Sequence, residues 1–171
     1  MKYSIIIPFL LTVYHIALSQ NAADTSAIQF AQEKHLANVQ QLTFGGDNAE
    51  AYFSFEGKNL SFQSNYKKWG LECDQIFNMD IEKAKTDSTY IPPMLSTGKG
   101  RTTCAYFMPD GKHVLYASTH KGSDKCPETG DLHKGGKYLW PVFSTYDIFV
   151  ADLNRKIVNQ LTNSPGYDAE A

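Results

Sequence analysis

The sequence predicts an all-β fold built from repeated four-stranded antiparallel meanders, and three observations carry that prediction. A phrase recurs: Ala51-Tyr52-Phe53-Ser54-Phe55-Glu56-Gly57-Lys58 returns 54 residues later as Ala105-Tyr106-Phe107-Met108-Pro109-Asp110-Gly111-Lys112. Apolar residues alternate with period two from about residue 38 onward, the pattern of half-buried strands. Turn residues punctuate that pattern at matching places in the two copies. A repeat near fifty residues marks a stacked or radial array, because one unit cannot cover its own apolar face without a neighbour.

The first segment reads as a secretory signal peptide over residues 1–19. Lys2 precedes an apolar run from Ile5 to Leu18, and Ala17-Leu18-Ser19 supplies a small-residue cleavage pattern. The run is broken by Pro8 and His15 and is short for a membrane span. Export with release is therefore expected, to the periplasm or outside the cell, with no transmembrane segment after cleavage. Residues 20–37 are expected to form a short helix or linker, with Ile28, Ala31 and Leu36 on one side of a helix from Asp24 to Ala37.

The strands follow in order. Val39 to Thr43 reads as a strand, Gly45 to Asn48 as a loop, Ala49 to Phe55 as a strand, and Glu56-Gly57 as a tight turn into Lys58 to Ser64. In the second copy Met108-Pro109-Asp110-Gly111 is the stronger turn. Pro presets φ, Asp bonds the backbone ahead, and Gly accepts the left-handed conformation. Gln75 to Ile81 matches Asp147 to Leu153, but Ile76 and Ile148 are 72 residues apart, so the second copy holds 18 more residues. Strands keep their spacing while connections grow, which assigns the insertion to a loop between Thr119 and Tyr146. A fourth strand is expected in each copy, Thr89 to Leu95 with Pro92-Pro93 at an outer edge and Lys156 to Thr162.

Radial repetition of such meanders is the β-propeller. Residues 38–171 then divide into a first blade at about 48–95, a second at about 102–162, and the start of a third from Tyr167, where Tyr167-Asp168-Ala169-Glu170-Ala171 resembles Asp47 to Ala51. Val39 to Thr43 resembles Val158 to Thr162, an outermost strand placed to complete the last blade of a ring. The expectation is the first part of a longer propeller.

Gln41-Leu42-Thr43 with its Gly-rich loop, Ala105-Tyr106-Phe107 with Pro109-Asp110-Gly111-Lys112, and Tyr146 to Leu153 resemble the TolB-type, or WD-like, propeller repeat. The resemblance covers residues 38–171. It implies an exported, non-catalytic scaffold that binds protein partners in the cell envelope or extracellular space. TolB itself carries an α/β domain ahead of its propeller, and residues 20–37 leave no room for one. The same repeat also precedes hydrolase domains in exported peptidases, which gives a second expectation, the propeller portion of a larger hydrolase. A third is a module that binds a small ligand or metal.

Removing residues 1–19 takes away Lys2 and no acid, leaving 15 Lys and Arg against 18 Asp and Glu. That balance lacks the basic stripe of a nucleic-acid binder. No Gly-x-Ser-x-Gly elbow is present, and Thr97 to Thr102 lacks the Gly-Lys-Ser/Thr order of a phosphate loop, so no catalytic residue and no cofactor is assigned.

Tracing the meander gathers several loops at one end of the strands, with Trp69, Cys73, Asp74, Arg101, Cys104, His120, Cys126, His133 and Trp140. Trp69, Asp74, Arg101, His120 and Trp140 make the candidate interaction face. Among Cys73, Cys104 and Cys126 a disulfide is expected from the oxidising compartment, with the pair left open. A zinc site from Cys73, Cys104, Cys126, His120 and His133 stands behind it, because no C-x-x-C or H-x-x-x-H clip is present. Glu50 and Glu170 occupy matching starts of inner strands, where Cys104 is the second blade's equivalent, and are candidate acids at a channel mouth. The repeated aromatics Tyr52, Phe53, Phe62 and Phe77, with Tyr106, Phe107, Tyr116 and Phe149, are expected to pack between blades.

Overall fold

The computed structural model describes Phe30 and residues 32–170, so the expected signal peptide and, of the expected helix, residues 24–29 and Ala31 lie outside the described residues. The chain divides into a segment ending at Val39 and a unit beginning at Gln40. In the first segment Phe30 and Glu33 close one turn, Glu33 N donating to the Phe30 carbonyl at 3.0 Å and Phe30 N to Glu33 Oε2 at 3.1 Å. Residues 32–37 form turns and bends where a helix was expected. A single closed turn fixes several dihedrals for little return and does not propagate without packing.

The unit from Gln40 is mostly β and holds two antiparallel sheets. The first contains β1 (Asn48–Phe53), β2 (Asn59–Ser64) and β3 (Gln75–Asp80); the second contains β4 (Thr102–Phe107), β5 (His113–Ser118), β6 (Asp147–Asp152) and β7 (Ile157–Gln160). Each sheet is a meander, with neighbours in sequence paired in space. The turns form as the sequence requires. Gly57 and Gly111 have φ of 69° and 65°, and their amides donate to Ser54 and Met108 carbonyls at 2.8 and 3.1 Å. Asp110 Oδ1 accepts from Lys112 N and His113 N at 2.9 and 3.1 Å, which fixes the second turn.

The duplication extends to single register pairs. Asn48↔Ser64 and Phe53↔Leu60 in the first sheet correspond to Thr102↔Ser118 and Phe107↔Val114 in the second, each residue displaced by 54. Phe62↔Phe77 corresponds to Tyr116↔Phe149, displaced by 54 and 72. β1 and β4 also carry a bulge at one place, between Ala49 and Tyr52 and between Thr103 and Tyr106. The bulged residues Glu50 and Cys104 are left-handed, with φ of 51° and 49°. A bulge inserts an unpaired residue, bends the strand and re-aims a side chain.

The fourth strand differs between copies. β7 is present, but Thr89 to Leu95 contributes only the bridge Phe77↔Met94. Residues after β3 instead form α1 (Ile81–Thr86), capped by Asp80, whose Oδ1 accepts from Lys83 N at 3.1 Å. Glu82, Lys83, Ala84 and Lys85 favour helix, Asp80 is a strong N-cap, and Pro92 and Pro93 lack ladder donors, so the strand shrinks to its end. That end keeps its equivalent role. Ser96 Oγ accepts from Ile76 N at 3.0 Å as Thr162 Oγ1 accepts from Ile148 N at 3.0 Å.

Two further expected strands are not formed. Val39 to Thr43 is irregular and pairs with no strand among the described residues. Leu42 nevertheless packs on the cluster of Phe62, Leu71, Phe77, Met79 and Ala84. Tyr167 to Glu170 is likewise without ladder partners.

The sheets meet along β4. Ile76 and Leu95 of the first copy pack against Ala105, Phe107, Val114, Tyr116 and Ala151 of the second. Polar links cross the same interface: Ser61 Oγ donates to the Ala105 carbonyl at 2.7 Å, and Thr103 Oγ1 to Gln63 Oε1 at 2.8 Å. The rings of Tyr52 and Tyr106 lie 4.3 Å apart. Packing of the repeated aromatics has one exception, since Phe107 is 9 % exposed and its equivalent Phe53 is 68 % exposed. The difference is positional, because Phe107 has a sheet beside it and Phe53 has none among the described residues.

Candidate functional site

The starts of β1 and β4 and the segment at Tyr167 meet at a cavity of about 500 Å³. Asp47, Arg101 and Tyr167 line it, and these occupy matching positions in the sequence alignment of the repeat, 54 and then 66 residues apart. The third member is placed by the same contact as the second. Thr102 N donates to the Asp74 carbonyl at 3.0 Å, and Asp168 N to the Tyr146 carbonyl at 3.2 Å, with Asp74 and Tyr146 themselves equivalent. Ala169 packs with Ala117, as Thr103 bonds Gln63 one copy earlier.

The inserted loop builds the remaining wall. Between β5 and β6 it contains a 3₁₀ turn at Lys134–Gly136 and brings His133, Tyr138, Trp140 and Phe143 to the cavity. Trp140 Nε1 donates to the Tyr167 hydroxyl at 3.0 Å, and the Tyr146 and Tyr167 rings meet edge to face at 5.5 Å. The wall is thus aromatic where the loop crosses the strand starts.

Charge on the lining is mainly negative. Asp47, Glu50 and Asp74 face Arg101, whose Nε lies 3.7 Å from Asp74 Oδ2. Arg101 Nε is buried without a hydrogen-bond partner among the described residues. Burial raises the Asp74 carboxyl above its usual range, against the lowering effect of Arg101, and the Asp47 charge adds to the rise. Asp47 Oδ2 accepts from Asn65 Nδ2 at 2.9 Å, and Glu50 accepts from the Tyr52 hydroxyl. With Asp74 matched to Arg101, Asp47 and Glu50 are left to set the field. Carboxylates beside aromatic faces suit a cation.

The other expected site residues separate. Cys73 and Cys126 form a disulfide with Cα atoms 5.9 Å apart, tying the β2–β3 loop of one sheet to the inserted loop of the other. Cys104 is free and half-buried. Its thiol is pushed up by burial and by the charges of Glu50 and Glu170, against the lowering effect of its hydrogen bond with Thr103. Glu170 is exposed and does not line the cavity. The five candidates for a metal do not assemble: among the described residues no group of three or more His, Cys, Asp or Glu is placed to hold one. The disulfide takes two of the thiols, and the histidines lie apart.

The expected interaction face also divides. Asp74, Arg101 and Trp140 share the cavity, whereas Trp69 packs on Phe77 at 5.2 Å and Tyr66 at 5.4 Å. His120 lies on Phe149 at 4.4 Å, with Nδ1 2.8 Å from Ser118 Oγ, beside a second hollow lined by Lys99, Lys121, Asp124 and Arg155. Burial lowers its pKa, and the nearby lysines act in the same direction. Sequence reasoning missed Asp47, Tyr138, Tyr146 and Tyr167 as lining residues. For Asp47 and Tyr167 the repeat alignment held the signal, because both are equivalent to Arg101.

Among the described residues no helix is long and apolar enough to cross a membrane. Comparison with protein-family models and with curated proteins finds no match for this chain.

Proposed function

We propose that the two sheets are consecutive blades of a TolB-like β-propeller, and that the protein is an exported, non-catalytic scaffold that recognises a protein partner at the mouth of its inner strands. The observation that carries this reading is the recurrence of one contact at each step of the repeat, Thr102 on Asp74 and then Asp168 on Tyr146. A radial array requires each inner strand to lean on the preceding unit in the same way. Export is supported by the Cys73–Cys126 disulfide, which belongs to an oxidising compartment. Recognition is supported by the position of the cavity, under a long loop on a β scaffold.

Site-specific photo-crosslinking in the producing cell tests the reading. A crosslinking residue at Lys137, exposed on the inserted loop, is expected to capture a defined protein partner, whereas one at Lys83 on α1, beyond the opposite ends of the strands, is not. Equal capture at the two positions, or none at Lys137, contradicts it.

A further inference from the structure

We infer that the cavity at the inner-strand mouth is a receptor for a primary ammonium group presented by a polypeptide. The inference rests on the mouth being a recognition surface and names the chemistry that surface takes. Its volume of about 500 Å³ lies in the range of small-ligand sites and admits one side chain or one chain terminus.

Three features select the charge and shape of the occupant. First, Arg101 is matched by Asp74 at 3.7 Å, so the unmatched carboxylates are Asp47 and Glu50. Second, these two acids are held rather than free to turn away. Glu50 stands at a left-handed bulge and accepts from Tyr52, and Asp47 is bonded by Asn65, with its own amide donating to Asn65 Oδ1 at 2.9 Å. Preorganised acceptors favour a compact multi-donor cation, and an ammonium carries three donors. Third, Tyr138 and Trp140 line the same cavity, with rings 6.1 Å apart, and supply aromatic surface for the cation or its aliphatic stem.

The inserted loop is part of the receptor. It has no counterpart in the first copy, so it is not needed to build a blade, yet it supplies Tyr138 and Trp140. Two fastenings hold it over the mouth, the Cys73–Cys126 disulfide and the Trp140–Tyr167 hydrogen bond.

Titration calorimetry on the full chain, purified with its disulfide closed, tests the inference with three short peptides. One has blocked ends and a single lysine, one has a free amino terminus and no lysine, and one has blocked ends and norleucine in place of lysine. At least one amine-bearing peptide is expected to bind ten-fold or more tightly than the norleucine peptide, and the first two arms tell a lysine side chain from a chain terminus. The Asp47→Asn/Glu50→Gln double variant is expected to abolish that difference, and Trp140→Ala to weaken binding of the charged peptide, while Glu56→Gln at the opposite end changes nothing. Equal binding of charged and neutral peptides, no binding of either amine up to about 10 mM, or full binding by a folded double variant overturns the inference. A partner still captured at Lys137 after such a result would leave the scaffold reading standing and remove only the ammonium receptor.

Discussion

At the scale of single residues, the duplication appears as paired constraints. Gly46 and Gly100 both have positive φ, 72° and 60°, and both press against the residue two places beyond the second strand of their sheet. A Cβ on Gly46 would stand 2.7 Å from Tyr66 Cα, and one on Gly100 would stand 2.7 Å from His120 N. Gly46→Ala is therefore expected to cost about 1–3 kcal/mol. Gly57→Ala, strained at φ 69° but facing open space, should cost less, and denaturant unfolding of the two variants checks the order. Titration adds a second residue-scale expectation. His120 has a folded pKa below its ordinary value of about 6.5, so between those values the unfolded chain holds more protons and stability falls as pH falls through that window. Asp74, raised by burial, has the opposite sign: the folded chain holds more protons above the ordinary carboxylate value, and stability falls as pH rises through its window. His120→Gln should flatten the decline below about pH 6.5; an unchanged pH profile of thermal unfolding would count against that assignment. Some of this was legible in the sequence. Gly57, Gly111 and Asp110 announced their turns, but three thiols expected at one end of the strands left the Cys73–Cys126 pair unreadable, because pairing depends on how loops cross.

At the scale of elements, the repeat fixed strand order and register, while the connections followed local chemistry. β1 to β3 and β4 to β6 were readable because alternation and a shared turn constrain one another. α1 was not, since six residues with an acid cap interrupt a strand-like pattern and only Ala84 reaches the core. The truncated edge keeps its hydroxyl bridge, which gives an element-scale prediction. Ser96→Ala removes the acceptor for Ile76 N and the donor to Gln75 Oε1 at 2.7 Å, leaving buried groups unpaired. A loss of about 1–3 kcal/mol is expected, and Thr162→Ala should act in the same direction on the second sheet. Equilibrium unfolding measures both. The disulfide joins elements 53 residues apart, and chain-entropy reasoning gives about 4 kcal/mol for closing such a loop. Reduction, or Cys73→Ser with Cys126→Ser, should lower the unfolding midpoint accordingly, and Cys104→Ser should not.

At the scale of the whole molecule, exposure separates equivalent residues of the two sheets. Phe53 and its counterpart Phe107 have one sequence context and opposite exposures, and only the presence of an adjoining sheet distinguishes them. The cavity belongs to the same scale, since no single copy contains it. It arises where three equivalent positions and one insertion meet, which is why its aromatic wall could not be read from a repeat that the insertion interrupts. The Tyr167 segment is the sharpest case, because it lacks a strand partner and still takes the seat that Thr102 occupies one copy earlier. A crystal structure of the protein, purified with its disulfide intact, tests this most directly. The account predicts β1, β4 and the segment from Tyr167 as successive innermost strands about one axis, with Asp168 N on the Tyr146 carbonyl; finding those three segments in unlike positions would contradict it.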